Sequence, residues 1–175
     1  SMYSHYKIVR QHKGVLYFQT TESEFSKDIY EKYGHKKMSL PSGGSVANNA
    51  FSLAEMLGFG TIILVGQDLA YPNDQVHSKG AKYKTLDDTN TIDRNDSRYF
   101  EVEANDGGKI LTEGNMNVYR KWFEERICDT KANVINATEG GAKIEGAEVR
   151  TLESVIDEFA SNAAGIDYEK LVHID

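Results

Sequence analysis

An α/β fold with a mostly parallel sheet is predicted by three observations in this sequence. Turn chemistry at Pro41-Ser42-Gly43-Gly44-Ser45 opens an apolar-periodic run, Gly58 closes that run, and Thr61–Val65 follows as an unbroken apolar, β-branched stretch. Strand, Gly-rich turn, helix and buried strand make a βαβ unit, whose right-handed crossover sets its two strands parallel in one sheet.

The elements can be taken in chain order. Val15–Thr20 alternates apolar and polar residues after Gly14 and predicts a short strand. Glu22–Tyr33 places Phe25, Ile29 and Tyr30 at helical spacing and stops at Gly34. Lys37–Leu40 predicts the strand that feeds the Ser-Gly turn. In the helix that follows, Val46, Ala50, Phe51, Leu53, Ala54 and Leu57 are expected on one apolar side. Thr61–Val65 has the composition of a strand covered on both faces, hence a central one.

From Pro72 to Gly114 the rhythm breaks. This stretch is rich in Asp, Asn and Lys, with a strand predicted at Arg98–Ala104 and a turn at Asn105-Asp106-Gly107-Gly108 before Lys109–Leu111. It reads either as a lid or substrate-recognition loop or as a solvated excursion. The core resumes in a helix over Asn115–Ile127, striped by Tyr119, Trp122, Phe123 and Ile127. A strand over Ala132–Ala137 and a helix over Leu152–Phe159, capped by Thr151, complete the pattern. The expected architecture is one Rossmann-like, three-layer α/β/α domain over 1–175, with an insertion at 72–114.

Composition bounds the function. The chain has 175 residues, 39% hydrophobic and 27% charged, the profile of an ordinary globular domain. No apolar run approaches the ~20 residues of a membrane span. Ser1–His12 lacks the apolar core of a secretory signal, so it reads as a frayed terminus or as the cut end of a longer protein. Cys128 is the single cysteine, which excludes an intrachain disulfide framework and fits a reducing, cytoplasmic setting. A net charge of −7 argues against a nucleic-acid coat, but leaves room for a phosphorylated ligand held by backbone amides.

Candidate site residues gather where strands end, the edge at which open α/β sheets bind ligands. At Ser42, Gly43, Gly44 and Ser45, converging N–H groups and a helix start suit a phosphate; alternatively Ser45 caps the helix and the glycines only make the turn. Asp68 either accepts from a ribose or base, holds a divalent cation, or ties loop amides. Tyr71 reaches a ligand phosphate or covers the sheet end. His77, on a polar loop, is a candidate general base or a solvated side chain. Glu139, Gly140 and Gly141 form a second Gly-rich exit at a strand's carboxyl end. No histidine spacing suggests a metal centre, and Cys128, Tyr119 and Trp122 read as core.

Three segments carry a family resemblance: Ser42-Gly43-Gly44-Ser45-Val46, Ala54-Glu55-Met56-Leu57-Gly58-Phe59, and Ile62-Ile63-Leu64-Val65-Gly66-Gln67-Asp68-Leu69-Ala70-Tyr71. They resemble the central domain of the motility accessory factors (Maf), flagellin glycosylation proteins that share a domain definition with MptE-like 6-hydroxymethyl-dihydropterin pyrophosphokinases. Ile135–Ala147 is also similar to that family, so the resemblance spans roughly Lys37–Phe159. A more distant similarity runs to bacterial sialyltransferases that use CMP-sialic acid.

The resemblance implies a glycosyltransferase that takes a CMP-linked nonulosonic acid (sialic, pseudaminic or legionaminic type) as donor and a protein such as flagellin as acceptor, without a metal. It implies nucleotide binding by Ser42 and Gly43, a leaving-phosphate contact from Tyr71, and His77 as base. The alternative it carries is a pyrophosphokinase using ATP and Mg²⁺, with Asp68 and Glu139 as ligands; a third reading is a non-catalytic interaction domain. A complete motility accessory factor has a further βα unit and large flanking regions, so the resemblance implies a fragment.

Overall fold

The computed structural model describes residues 10–11, 13, 28, 31–32, 40–75 and 91–160. Contacts group the chain into two compact units, 1–42 and 43–175. The sequence reads as one domain, and the boundary between the units falls inside the Pro41–Ser45 turn rather than at either end of 72–114. In the first unit, Asp28, Glu31 and Lys32 are helical, as the Glu22–Tyr33 pattern predicts at those positions. The predicted strand Val15–Thr20, and all of Lys37–Leu40 except Leu40, lie outside the described residues.

In the second unit the elements run α1 (Val46–Met56), β1 (Thr61–Leu64), a 3₁₀ turn (Pro72–Asp74), β2 (Tyr99–Glu103), β3 (Lys109–Glu113), α2 (Gly114–Asp129), β4 (Asn133–Asn136), β5 (Glu148–Val149) and α3 (Leu152–Val155), which continues into a π-turn at Ile156–Ala160. β1 and β4 pair in parallel, Thr61 opposite Asn133 through Leu64 opposite Asn136, and β5 joins the other edge of β4, also in parallel. Among the described residues, then, β4 is the middle strand, and the strand expected to be central, β1, pairs on one side only.

The side-chain alternation of the strands builds two packed faces. Ile62, Leu64 and Val134 point one way, into a cluster with Phe51 of α1, Phe123 of α2 and Ile144. Ile63, Ile135 and Ala137 point the other way, against Leu152, Val155 and Phe159. Helices cover both faces of the sheet, which is an α/β fold in three layers. In the first cluster Phe51, Trp122 and Phe123 meet edge to face, with ring centroids 5.5–6.1 Å apart. Among the described residues, no helix is long and apolar enough to cross a membrane.

The apolar side expected on α1 is only partly the buried one. Phe51 is buried and Ala54 half-buried, but Val46 is 86% exposed, and Ala50, Leu53 and Leu57 are exposed as well. Asn48 and Ser52 are buried instead. A hydrophobic count cannot see that Asn48 brings its hydrogen-bond partners, Ser45 and Tyr119 O, with it. Cys128, expected in the core, is exposed on the last turn of α2.

The described part of the insertion is ordered structure rather than a solvated excursion. β2 and β3 form an antiparallel hairpin, closed by mutual bonds between Ala104 and the turn Gly107–Gly108, where Gly107 takes φ +84°. The hairpin docks on the chain leaving β1: Tyr71 N donates to Leu111 O (2.8 Å) and the buried Thr112 hydroxyl donates to Leu69 O (2.8 Å).

Candidate functional site

The segment that leaves the carboxyl end of β1 and the amino end of α1 line one cavity of about 540 Å³, with Ser45, Ala47, Asp68, Tyr71, Met116 and Tyr119 in its wall. The wall segment is pinned along its length. Gln67 N donates to Thr138 Oγ1 (2.9 Å), Ala142 N donates to Asp68 O (2.7 Å), and the hairpin holds Leu69 and Tyr71. Among the described residues the non-glycine positions with positive φ are Leu69, Asn73 and Asp74, all in this one stretch. Such backbone strain persists only where surrounding contacts enforce it. Here the Arg94 guanidinium grips both Asp74 carboxylate oxygens at 2.7 and 2.9 Å.

Asp68 is half-buried, and its main chain is tied down while its carboxylate has no hydrogen bond or ion pair among the described residues. Its side chain ties no loop amide among the described residues. It is the one acidic side chain among the described residues of the cavity wall, none of which is Lys or Arg. Among the described residues no cluster of three or more His, Cys, Asp or Glu could cage a metal. A single free carboxylate fits a different arrangement: a magnesium ion keeps several waters and is held by one or two carboxylates together with substrate phosphates.

At the turn, Ser45 is an N-cap. Its Oγ accepts from Asn48 N (3.1 Å) while Asn48 Oδ1 accepts from Ser45 N (3.2 Å) and from the Ser45 hydroxyl (2.7 Å). This reciprocal cap consumes two of the first-turn donors. The N–H groups of Val46 and Ala47 lie outside it. Asn48 also donates to Tyr119 O, which completes the pairing of a residue buried to 0% exposure.

The two glycines have packing reasons of their own. A Cβ on Gly43 would sit 2.5 Å from the Trp122 ring, and Gly44 has φ +94°. Gly43→Ala is expected to destabilise the fold by about 1–3 kcal/mol through overpacking, because Trp122 is itself wedged against Phe51 and Phe123. A urea melt reads this directly, and an unchanged midpoint would show that the indole yields. Ser42 is exposed and belongs to the first unit.

Tyr71 is 5% exposed, its ring edge-on to Tyr99 at 5.4 Å. Burial first, then the Glu113 carboxylate that its hydroxyl hydrogen-bonds, push the phenol far above its ordinary range. It stays neutral, its ring packed against Tyr99. In the loop after β4, Glu139 and Gly140 are exposed. Gly141, with φ +74°, is pressed so close to Asp68 that a Cβ would lie 2.6 Å from its carbonyl oxygen. Glu139 is not in the wall of the 540 Å³ cavity; Gly140 and Gly141 line an adjoining one of about 360 Å³, which shares Tyr71, Pro72 and Asn73 with it. His77 lies outside the described residues.

Residues 1–74 match the family described as 6-hydroxymethylpterin diphosphokinase MptE-like. The matched stretch contains the Ser42–Ser45 turn, Asp68 and Tyr71; His77 and Glu139–Gly141 lie beyond it. A Treponema pallidum (strain Nichols) protein described as uncharacterized is 47% identical over 45 residues, which is 26% of this chain and 12% of that protein. No solved structure matches. The resemblance to motility accessory factors and sialyltransferases rests on the quoted motifs alone.

Sequence reasoning missed Asn48, Asn105, Asn136 and Thr138. The Ser45–Asn48 spacing was the one readable signal, an N-cap followed at the third helical position by an amide in place of the usual Glu or Gln. The others are polar residues that, apart from the bond between Asn136 and Thr138, have partners some thirty positions away or more.

Proposed function

We propose that the cavity binds a nucleoside triphosphate together with its divalent cation, and that the chain supplies the nucleotide side of a diphosphate transfer to an alcohol. The observation that carries this reading is the Asp68 carboxylate, which has no partner among the described residues and stands in a wall whose described residues include no Lys or Arg. A polyphosphate in such a wall needs its charge offset by something other than a side-chain cation. A bound magnesium ion would be held by Asp68 and would supply that offset.

The chain's own contributions are positional. The Val46 and Ala47 N–H groups at the start of α1 favour an anion beside them. The adjoining 360 Å³ cavity, across the shared wall of Tyr71, Pro72 and Asn73, gives room for a second substrate. The description of the matched family, a diphosphokinase, agrees with this chemistry. Metal-free transfer from a CMP-linked sugar, implied by the motif resemblance, draws on the Tyr71 hydroxyl, which the Glu113 carboxylate already faces.

Calorimetric titration with ATP, with and without Mg²⁺, and with CMP tests the reading. ATP is expected to bind at least about tenfold more tightly with Mg²⁺ than with EDTA. CMP binding indifferent to Mg²⁺ would return the glycosyl-donor reading, and binding of neither would leave an interaction domain.

A further inference from the structure

We infer that Asn105, on the turn of the β2–β3 hairpin, is a positioning residue for the Asp68 carboxylate. The inference rests on the cation-binding reading above and names the part of the chain that aims its ligand. Asn105 sits at the centre of an amide lattice beneath the carboxyl end of β4. Its Oδ1 accepts from Asn136 Nδ2 (3.1 Å), and its Nδ2 donates to the carbonyls of Thr138 (3.3 Å) and Gly140. Its main-chain N–H donates to Gly141 O (3.1 Å). Asn136, wholly buried, passes the constraint on: its Oδ1 accepts from Thr138 N (3.1 Å).

Two arms of this lattice reach Gln67 and Asp68. Thr138, 4% exposed, accepts from Gln67 N through its hydroxyl. The Gly140–Gly141 loop, held by both the side chain and the main chain of Asn105, lies against Asp68, where Ala142 N donates to Asp68 O. The Asp68 side chain makes no bond among the described residues, so its direction is set through its backbone, which Thr138 holds through Gln67 and which the loop tied by Asn105 holds through Ala142 N. Residues that hold a metal ligand in this indirect way typically affect affinity by about 10–100-fold. Asparagine suits position 105 because three roles are needed at once: an acceptor for Asn136, a two-proton donor for the carbonyls, and a turn conformation.

Asn105→Asp keeps the acceptor and replaces the donor with an oxygen facing two carbonyls. Thr138→Val keeps the shape and removes the acceptor for Gln67 N. Mn²⁺ serves as the probe, its free signal followed by electron paramagnetic resonance in the presence of ATP, with ATP affinity in EDTA and the far-UV spectrum as controls. The expected result is a loss of Mn²⁺ affinity of about tenfold or more in each variant, with metal-free ATP affinity unchanged. A purely structural role would leave the Mn²⁺ affinity of the folded variants where it was, and that result would overturn the inference. If Asn105→Asp does not fold, Thr138→Val decides alone. Asp68→Asn is measured alongside: if it too leaves Mn²⁺ binding intact, the cation reading falls and the positioning role with it. If only Asp68→Asn weakens Mn²⁺, the positioning role alone is refuted.

Discussion

Glu124→Leu is expected to destabilise the fold by about 3–5 kcal/mol, the usual cost of removing one partner from a buried ion pair. Glu124 is 8% exposed, and its oxygens accept from Arg120 Nη1, Lys121 Nζ (2.8 Å) and Glu145 N (3.2 Å). Arg120 is nearly as enclosed, at 13% side-chain exposure, and also donates to Asn117 Oδ1 and Lys143 O. Without Glu124 the guanidinium keeps its charge in a low-dielectric setting, and the Glu145 amide is left without its acceptor. The loop after β4 loses one of its ties to α2 at the same time. Replacing both charges, as in Arg120→Met with Glu124→Leu, is expected to recover most of the loss, since apolar substitutes for a buried pair are often neutral. Urea denaturation of the single and double variants measures both steps. A single-variant loss under about 1 kcal/mol would place the pair with exposed ones such as Arg94–Asp74, whose guanidinium is 63% exposed.

The parts of this fold that were legible in the sequence are those governed by local periodicity. The helices at 46–56 and 114–129 and the strands at 61–64 and 133–136 follow from apolar spacing, Gly58, and the Thr151 side chain that caps α3 by accepting from Ser154 N. Where burial depends on partners distant in sequence, periodicity misleads. Val46, Ala50, Leu53 and Leu57 share a stripe and are exposed, while Asn48, opposite them in character, is fully enclosed because Ser45 and Tyr119 O satisfy it. The same limit applies at the site. The sequence marks Ser42–Ser45 and Asp68 because they sit where strands end, but it cannot show that Trp122 fills the space over Gly43 or that Glu113 faces the Tyr71 hydroxyl. Nor can it show that a polar hairpin, 43 residues further on, holds Leu69 through Thr112.

Asp68→Asn should separate ligand binding from folding more cleanly than any other change in this chain. The substitution keeps the side-chain shape and every backbone bond of the segment, including Ala142 N to Asp68 O. Because the carboxylate has no partner among the described residues, its loss removes none of the contacts they make. Stability is expected to stay within about ±0.5 kcal/mol, as for surface positions away from special features. A slight gain is equally consistent, since groups kept for a ligand are often costly to the bare fold. The affinity for ATP with Mg²⁺ is expected to fall at least about tenfold, or 1.4 kcal/mol and more, while ATP affinity in EDTA is unchanged or rises as a negative charge leaves the wall. The two readouts together discriminate between roles. A structural aspartate would lower the melting midpoint and leave the Mg²⁺ dependence alone. A cation ligand does the reverse, and equal Mg²⁺ dependence in the variant and the parent chain would remove Asp68 from the site.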